Sequence, residues 1–444
     1  VFETILSGGI VVTAEGESRA DVAIDGAHVA ALLSPGEAAA TRQVIDVSGC
    51  HLLPGLIDAH AHLREPGLTA KEDFTSGTHA AALGGVTTVL DMPTDKPWTA
   101  TAEDLRWKMQ AAAGRLHVDV GFQVVASKDL SLLAELAELA PVSCEIFTAD
   151  VPERFRFESM EEVSTALHRL GQYRIMAGLS PGDESILRAH ATQPHRGDIA
   201  AFLASRPPLA EANGIARGIL AASAIKTAGH IRQINSALGL ETWRRMRGLA
   251  DLSVETTPQN LFFEAQDYET QGAALKASPP FRSKEDVSAL REAVASGLID
   301  IMATDHAPHT PAEKAASYGA FADIPGGMPG LQTLLQVMIR LVDEKLITLR
   351  DVARMCAQNP ARRFGLGQRK GAIAPGHDAD IVVIDRRQPD VIRNELQVSR
   401  AAYTPFDGWR IGASLRRVFL RGAEIARDGR LTGAPRGVVV AGAF

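Results

Sequence analysis

The sequence predicts an α/β protein, a (β/α)8 TIM-type barrel carrying a small β-sandwich built from both chain ends. Three observations predict it. Between roughly residues 51 and 365, short apolar runs alternate with helical stretches, the rhythm of repeated strand–helix units. The two ends read instead as short strands around Gly-containing turns. The chain has 444 residues, enough for one such barrel and a smaller domain. The expected division is 1–50 with 366–444 for the sandwich and 51–365 for the barrel.

At the N-terminus, "ETILSGGIVV" and "ADVAIDGAHVAAL" place β-rich runs around glycines. The barrel should begin with the strand "GLIDAHAHL", followed by the helix "TSGTHAAALGG" and the strand "VTTVLDMP". A helix at "AEDLRWKMQAAAGR" and a strand at "VDVGFQVV" continue the alternation. At the C-terminus, "DADIVVIDRR" and "LRRVFLRGAEIARDGRL" return to strands around Gly422 and Asp428-Gly429, so both ends should share one sandwich. No internal repeat or low-complexity segment interrupts this order.

Composition narrows the function classes. Hydrophobic residues make up 45% and charged residues 22%, so a large core can be buried. A net charge of −7, with no Lys/Arg-rich run, argues against nucleic-acid binding. No apolar run approaches the ~18 residues of a membrane helix. Cys50, Cys144 and Cys356 fit neither a disulfide framework nor a CxxC module. Residues 1–14 lack the basic and apolar regions of a signal peptide, so the expected setting is a soluble protein in a reducing cytoplasm.

In such barrels chemistry sits where the strands end, so polar residues closing an apolar run are the candidates. The first strand ends in Asp58-Ala59-His60-Ala61-His62. Residues two apart on a strand face the same way, so both imidazoles should meet at the barrel mouth, where imidazole suits zinc and similar ions.

"GLIDAHAHLREPG" resembles the first-strand motif of the cyclic amidohydrolases, the group of the amidohydrolase superfamily that holds dihydroorotases, allantoinases and hydantoinases. The resemblance continues through "GGVTTVLDMP", "AAFLASRPPLAEA", "KASPPFR", "ATDHAPHT", "CAQNPARRFGL" and "KGAIAPGHDADIVVID", in order along nearly the whole chain. It implies a barrel with a β-sandwich and two metal ions bridged by a carboxylated lysine ending strand four. The other implied ligands are the HxH pair, histidines ending strands five and six, and an aspartate ending strand eight.

Carried over by position, His60 and His62 match, His190 in "ESILRAHATQ" falls at the strand-five ligand, and Asp305 in "IDIMATDHAPHT" matches both ligand and general base. Two positions depart. Strand four, "PVSCEIFTAD", places Glu145 where the lysine is usual; its two oxygens could bridge metals in the carbamate's stead. On strand six, "AGHIRQINSA" places Gln233 where histidine is usual, a weaker donor that leaves the second metal less tightly bound. His230, three residues earlier, is expected on the opposite face.

For substrate, Arg64 and His309 match carboxylate contacts of dihydroorotases, since a guanidinium offers such a group a forked match. Their third contact, an asparagine, is missing: "DMPTDKP" offers Thr94 and Asp95, and an aspartate there would repel a carboxylate. Ser278 stands where the family contacts the ring's amides, "TPQNL" is similar to a hydantoinase "PQYL", and "IPGGMPG" suits a loop over the ring. The implied cofactor is a divalent metal, zinc or alternatively manganese, one ion firmly held and a second less so. The implied substrate is a small cyclic amide or ureide, and the implied assembly a homodimer or homotetramer. Three other functions stay open: a one-metal deaminase or acyclic amide hydrolase, an inactive dihydroorotase-like partner of a transcarbamoylase, and a simple ureide-binding module.

Overall fold

The computed structural model describes residues 1–191 and 199–444. Eight parallel strands form the barrel: β1 (Leu56–Ala61), β2 (Val86–Asp91), β3 (Asp119–Val125), β4 (Ser143–Phe147), β5 (Ala177–Ser180), β6 (Gly229–Ile231), β7 (Leu252–Thr256) and β8 (Ile301–Met302). Each pairs with the next in parallel, and a parallel bridge between Ala61 and His306 joins the last to the first. β1, β2 and β3 are buried along their whole length, as expected where helices cover one face and the barrel interior the other.

The helices between strands begin where the sequence supplies caps. Asp73, Thr101, Ser159 and Ser283 each accept from the N3 backbone amide of the helix they start, and the N3 side chain answers in a capping box. Between β5 and β6 lie the helices Glu184–Ala191, Ile199–Ala204 and Pro208–Ile225. After the last strand the chain passes through Pro311–Ala315 to the amphipathic helix Leu334–Asp343.

Both ends contribute to one seven-stranded sheet, in which Ile10–Val12 and His51–Pro54 lie beside Ile381–Asp385 and Ser414–Leu420. A four-stranded sheet of Phe2–Ser7, Asp21–Asp25, His28–Leu33 and Thr41–Asp46 completes the end domain. Leu6, Val22, Leu52, Ile381 and Phe419 form its separate core. The final strand, Val439–Val440, leaves this domain and pairs in parallel with β3. Val440 there joins Ile57, Leu90, Ile301 and Phe364 in an apolar cluster.

Candidate active site

β1 delivers His60, and His62 follows just beyond its end. β8 is only two residues long, and the chain turns at Asp305, whose φ of 46° lies in the left-handed region. That turn brings the carboxylate under both imidazoles: Asp305 Oδ1 lies 3.4 Å from His60 Nε2 and 3.2 Å from His62 Nε2. Among the described residues these three form one group able to hold a metal ion, with ligand atoms within 4.8 Å of one another. Each ring is fixed from behind. His60 Nδ1 donates to Glu255 Oε1 at 2.5 Å, and His62 Nδ1 pairs with Thr94 Oγ1 at 2.8 Å. Because a carboxylate accepts only, Glu255 puts the His60 proton on Nδ1 and turns Nε2 to the centre, the usual support of a metal-binding imidazole. Two histidines and a carboxylate beside a cavity therefore fit one divalent ion with an open coordination position.

The two rings differ electrostatically: burial opposes a charge on His60, but Glu255 and Asp305 raise its pKa above the ordinary value, so an incoming ion has to displace a proton there. Burial pushes His62 down to about 4, helped by the Arg64 charge and opposed by Asp305, so the ring stays neutral. Burial works against the Asp305 carboxylate, but the His60 charge and the His62 hydrogen bond hold it below its ordinary value. Burial likewise opposes ionisation of Glu255, and the charges of His60 and Arg232 overcome it decisively.

A cavity of about 260 Å³ opens over the group. His60, His62, Thr94, Gln233, Ser278 and Asp305 line it together with Arg206, Glu211 and Arg282, and Phe147, Val151 and Leu187 supply apolar surface. This mixture of apolar wall and a few convergent polar groups suits a small polar ring.

Not every expected residue reaches the centre. His190 does not end β5: that strand stops at Ser180, and Pro181-Gly182-Asp183 turns the chain into the helix Glu184–Ala191. Asp183 Oδ1 accepts from the Ile186 amide at 3.0 Å, and His190 Nδ1 bonds the Ile186 carbonyl at 2.9 Å. The ring is thus not the strand-five metal ligand that the resemblance implies. Glu145 is also not with the group. Its Oε1 is 2.5 Å from Arg232 Nη2 and 3.1 Å from Arg232 Nε, so a guanidinium holds the carboxylate expected to bridge metals. Gln233 does reach the centre, but its Nε2 donates to Asp305 Oδ2 at 3.0 Å. His230 faces the interior too, contrary to simple alternation. Its Nε2 donates to Glu255 Oε2 at 2.9 Å, because Gln233, with φ 43°, leaves the extended conformation that alternation assumes.

Among the expected substrate contacts, Ser278 lines the cavity. Arg64 and His309 stand together, Arg64 Nη2 3.5 Å from His309 Nε2, but outside the cavity's lining. Asp95 is buried away from the site, bound by Lys108 Nζ at 2.6 Å and Thr99 Oγ1 at 2.9 Å, so its charge is answered there. The loop "IPGGMPG" packs beside Ser278: Gly327 N donates to the Lys276 carbonyl at 2.9 Å, and His309 Nε2 bonds the Gly326 carbonyl at 3.0 Å.

The sequence reading did not assign Glu255, Arg232 or Gly178 to the site. Glu255 had a signal, an acidic residue closing the apolar run before "TPQNL". Arg232 had another, an arginine directly following a short apolar strand, which, if buried, must find a carboxylate.

Residues 49–237 match the Dihydro-orotase-like family and residues 249–425 the Amidohydrolase family. An allantoinase of Deinococcus radiodurans is 32% identical over 98% of this chain and 98% of its own. An allantoinase of Salmonella newport is 33% identical over 96% of this chain and 95% of its own. Among solved structures, the L-hydantoinase (dihydropyrimidinase) from Arthrobacter aurescens superposes with a TM-score of 0.94 at 25% identity, covering 99% of this chain and 100% of that one. The dihydropyrimidinase from Brevibacillus agri gives 0.91 at 28% identity, covering 98% of each chain.

Proposed function

Given that the chain belongs to the amidohydrolase family, in its cyclic amidohydrolase group, we propose that it opens an allantoin-like ureide ring using one divalent ion, zinc, at His60, His62 and Asp305. Hydrolysis of a cyclic amide or ureide C–N bond is its activity, and its relatives favour this over a deaminase, an acyclic amide hydrolase or an inactive partner protein. The allantoin type of ring is taken from the names of its relatives and suits the small cavity. The observation that carries the metal reading is the convergence of two Nε2 atoms on one oxygen of Asp305.

When bound, a divalent ion supplies Lewis-acid polarisation of the scissile carbonyl and makes water acidic enough to be deprotonated near neutral pH. The protein's own groups do the rest. Asp305 takes the proton of the attacking water on Oδ2 and returns it to the ring nitrogen as the C–N bond breaks. Gln233, donating to that oxygen, keeps it turned toward the cavity. Ser278 and the apolar wall seat the ring, and the product is a ring-opened carbamoyl acid.

Three free, buried cysteines suit a cytoplasmic setting, and a homodimer or homotetramer follows from the resemblance. The test is product-resolved chromatography with allantoin, hydantoin, dihydrouracil and dihydroorotate. A ring-opened acid from allantoin is expected, and Asp305→Asn should lower kcat/KM about 10³-fold with the fold intact. Ammonia release without ring-opened acid, or near-native activity in that variant, would sink the reading.

A further inference from the structure

The interior of the barrel beside His60 already holds a cation. Arg232 is buried, and its five donor hydrogens are all engaged. Nε and Nη2 hold Glu145, Nη2 also holds Gln123 Oε1, and Nη1 reaches the Ala59 carbonyl at 2.9 Å and Glu255 Oε2 at 3.3 Å. Burial disfavours its charge, but Glu145 and Glu255 more than restore it.

The strand-five neighbour completes the arrangement. Gly178 lies in register between Glu145 on β4 and His230 on β6. A Cβ on Gly178 would stand 1.8 Å from Glu145 Oε1, so the carboxylate occupies the space into which a strand-five ligand would project. Thus strand four carries a carboxylate paired with a guanidinium where a metal bridge is expected, its register neighbour on strand five is a glycine, and strand six offers an amide whose NH₂ faces Asp305. A divalent ion placed at Glu145 would meet a guanidinium that cannot deprotonate and cannot leave without stranding two buried carboxylates.

We propose that Arg232 is a built-in cation standing in place of a second metal ion, so that each chain binds one divalent ion. The Arg232–Glu255–His60 chain then ties that fixed charge to the remaining metal group. This rests on the metal-hydrolase reading above.

The test is stoichiometry on the full-length protein, by equilibrium dialysis against zinc with elemental analysis, and by electron paramagnetic resonance after loading with manganese. One equivalent and the isolated six-line manganese signal are expected. Two equivalents, an exchange-coupled signal, or no bound metal overturns the proposal. A rebuilt site (Glu145→Lys, Gly178→His, Arg232→Val, Gln233→His) should raise the count to two if it folds; the unaltered protein decides the question if it does not. Ring opening with two ions would remove this proposal and leave the function standing. One ion without ring opening would do the reverse.

Discussion

At the residue scale, the site is defined less by its three ligands than by what stands behind them. His60 and His62 differ in support, one backed by a charged carboxylate and the other by a hydroxyl, and each partner aims an Nε2 at Asp305. Thr94→Val preserves shape and removes only the hydroxyl. It should weaken metal binding by roughly 10-fold or more, read by chelator competition, as loss of such partners usually does. His190→Ala should leave affinity unchanged, because that ring is spent on its own helix. If the histidine variant lost metal and the threonine variant kept it, the placement of both residues here would be wrong.

At the element scale, the decisive feature is a loop fastened by two lysines. Lys314 Nζ donates to the carbonyls of Lys276 at 3.2 Å and Pro325 at 2.8 Å, and Lys276 Nζ donates to those of Ala322 and Ile324. Together they pin residues 320–330 against the strand-seven loop that presents Ser278. Burial, then the charges of Lys276 and Arg64, lowers Lys314 from 10.5 to about 7. The unfolded chain keeps that proton up to about 10.4. Between pH 7 and 10, therefore, the unfolded state binds more protons and this group makes stability rise with pH. The thermal midpoint of the parent protein, relative to Lys314→Met, should climb across that window; parallel curves would refute the assignment. Element boundaries also keep His190 from the centre. The resemblance places it at a strand end, but Pro181-Gly182-Asp183 turns the chain before it and starts a helix.

At the scale of the whole molecule, the end domain is bolted to the barrel by charge as well as by apolar contact. Lys370 Nζ lies 2.8 Å from Asp119 at the start of β3, 2.6 Å from Asp380 and 3.4 Å from Asp378. This second acidic group therefore already encloses a cation and lies at the opposite end of the strands from the chemistry, where barrels place stability. Lys370→Met should cost about 3–5 kcal/mol in denaturant unfolding, because it strands buried carboxylates. The metal stoichiometry of the folded protein should not change; a variant that stayed fully stable but lost metal would reverse the assignment.

What the sequence by itself determined was periodic and local. The strand–helix rhythm, the β-rich ends, the HxH pair and Asp305 could be read because period and motif are properties of neighbours along the chain. The tertiary structure alone decided the partners. That Glu145 meets Arg232 across 87 positions, that Glu255 orients His60 across 195, and that Gly178 leaves room for the Glu145 carboxylate depend on which strands lie side by side. A buried charge must find its counter-charge through space rather than along the chain, so closure of the barrel, more than any motif, chose between a bridging carboxylate and an ion pair.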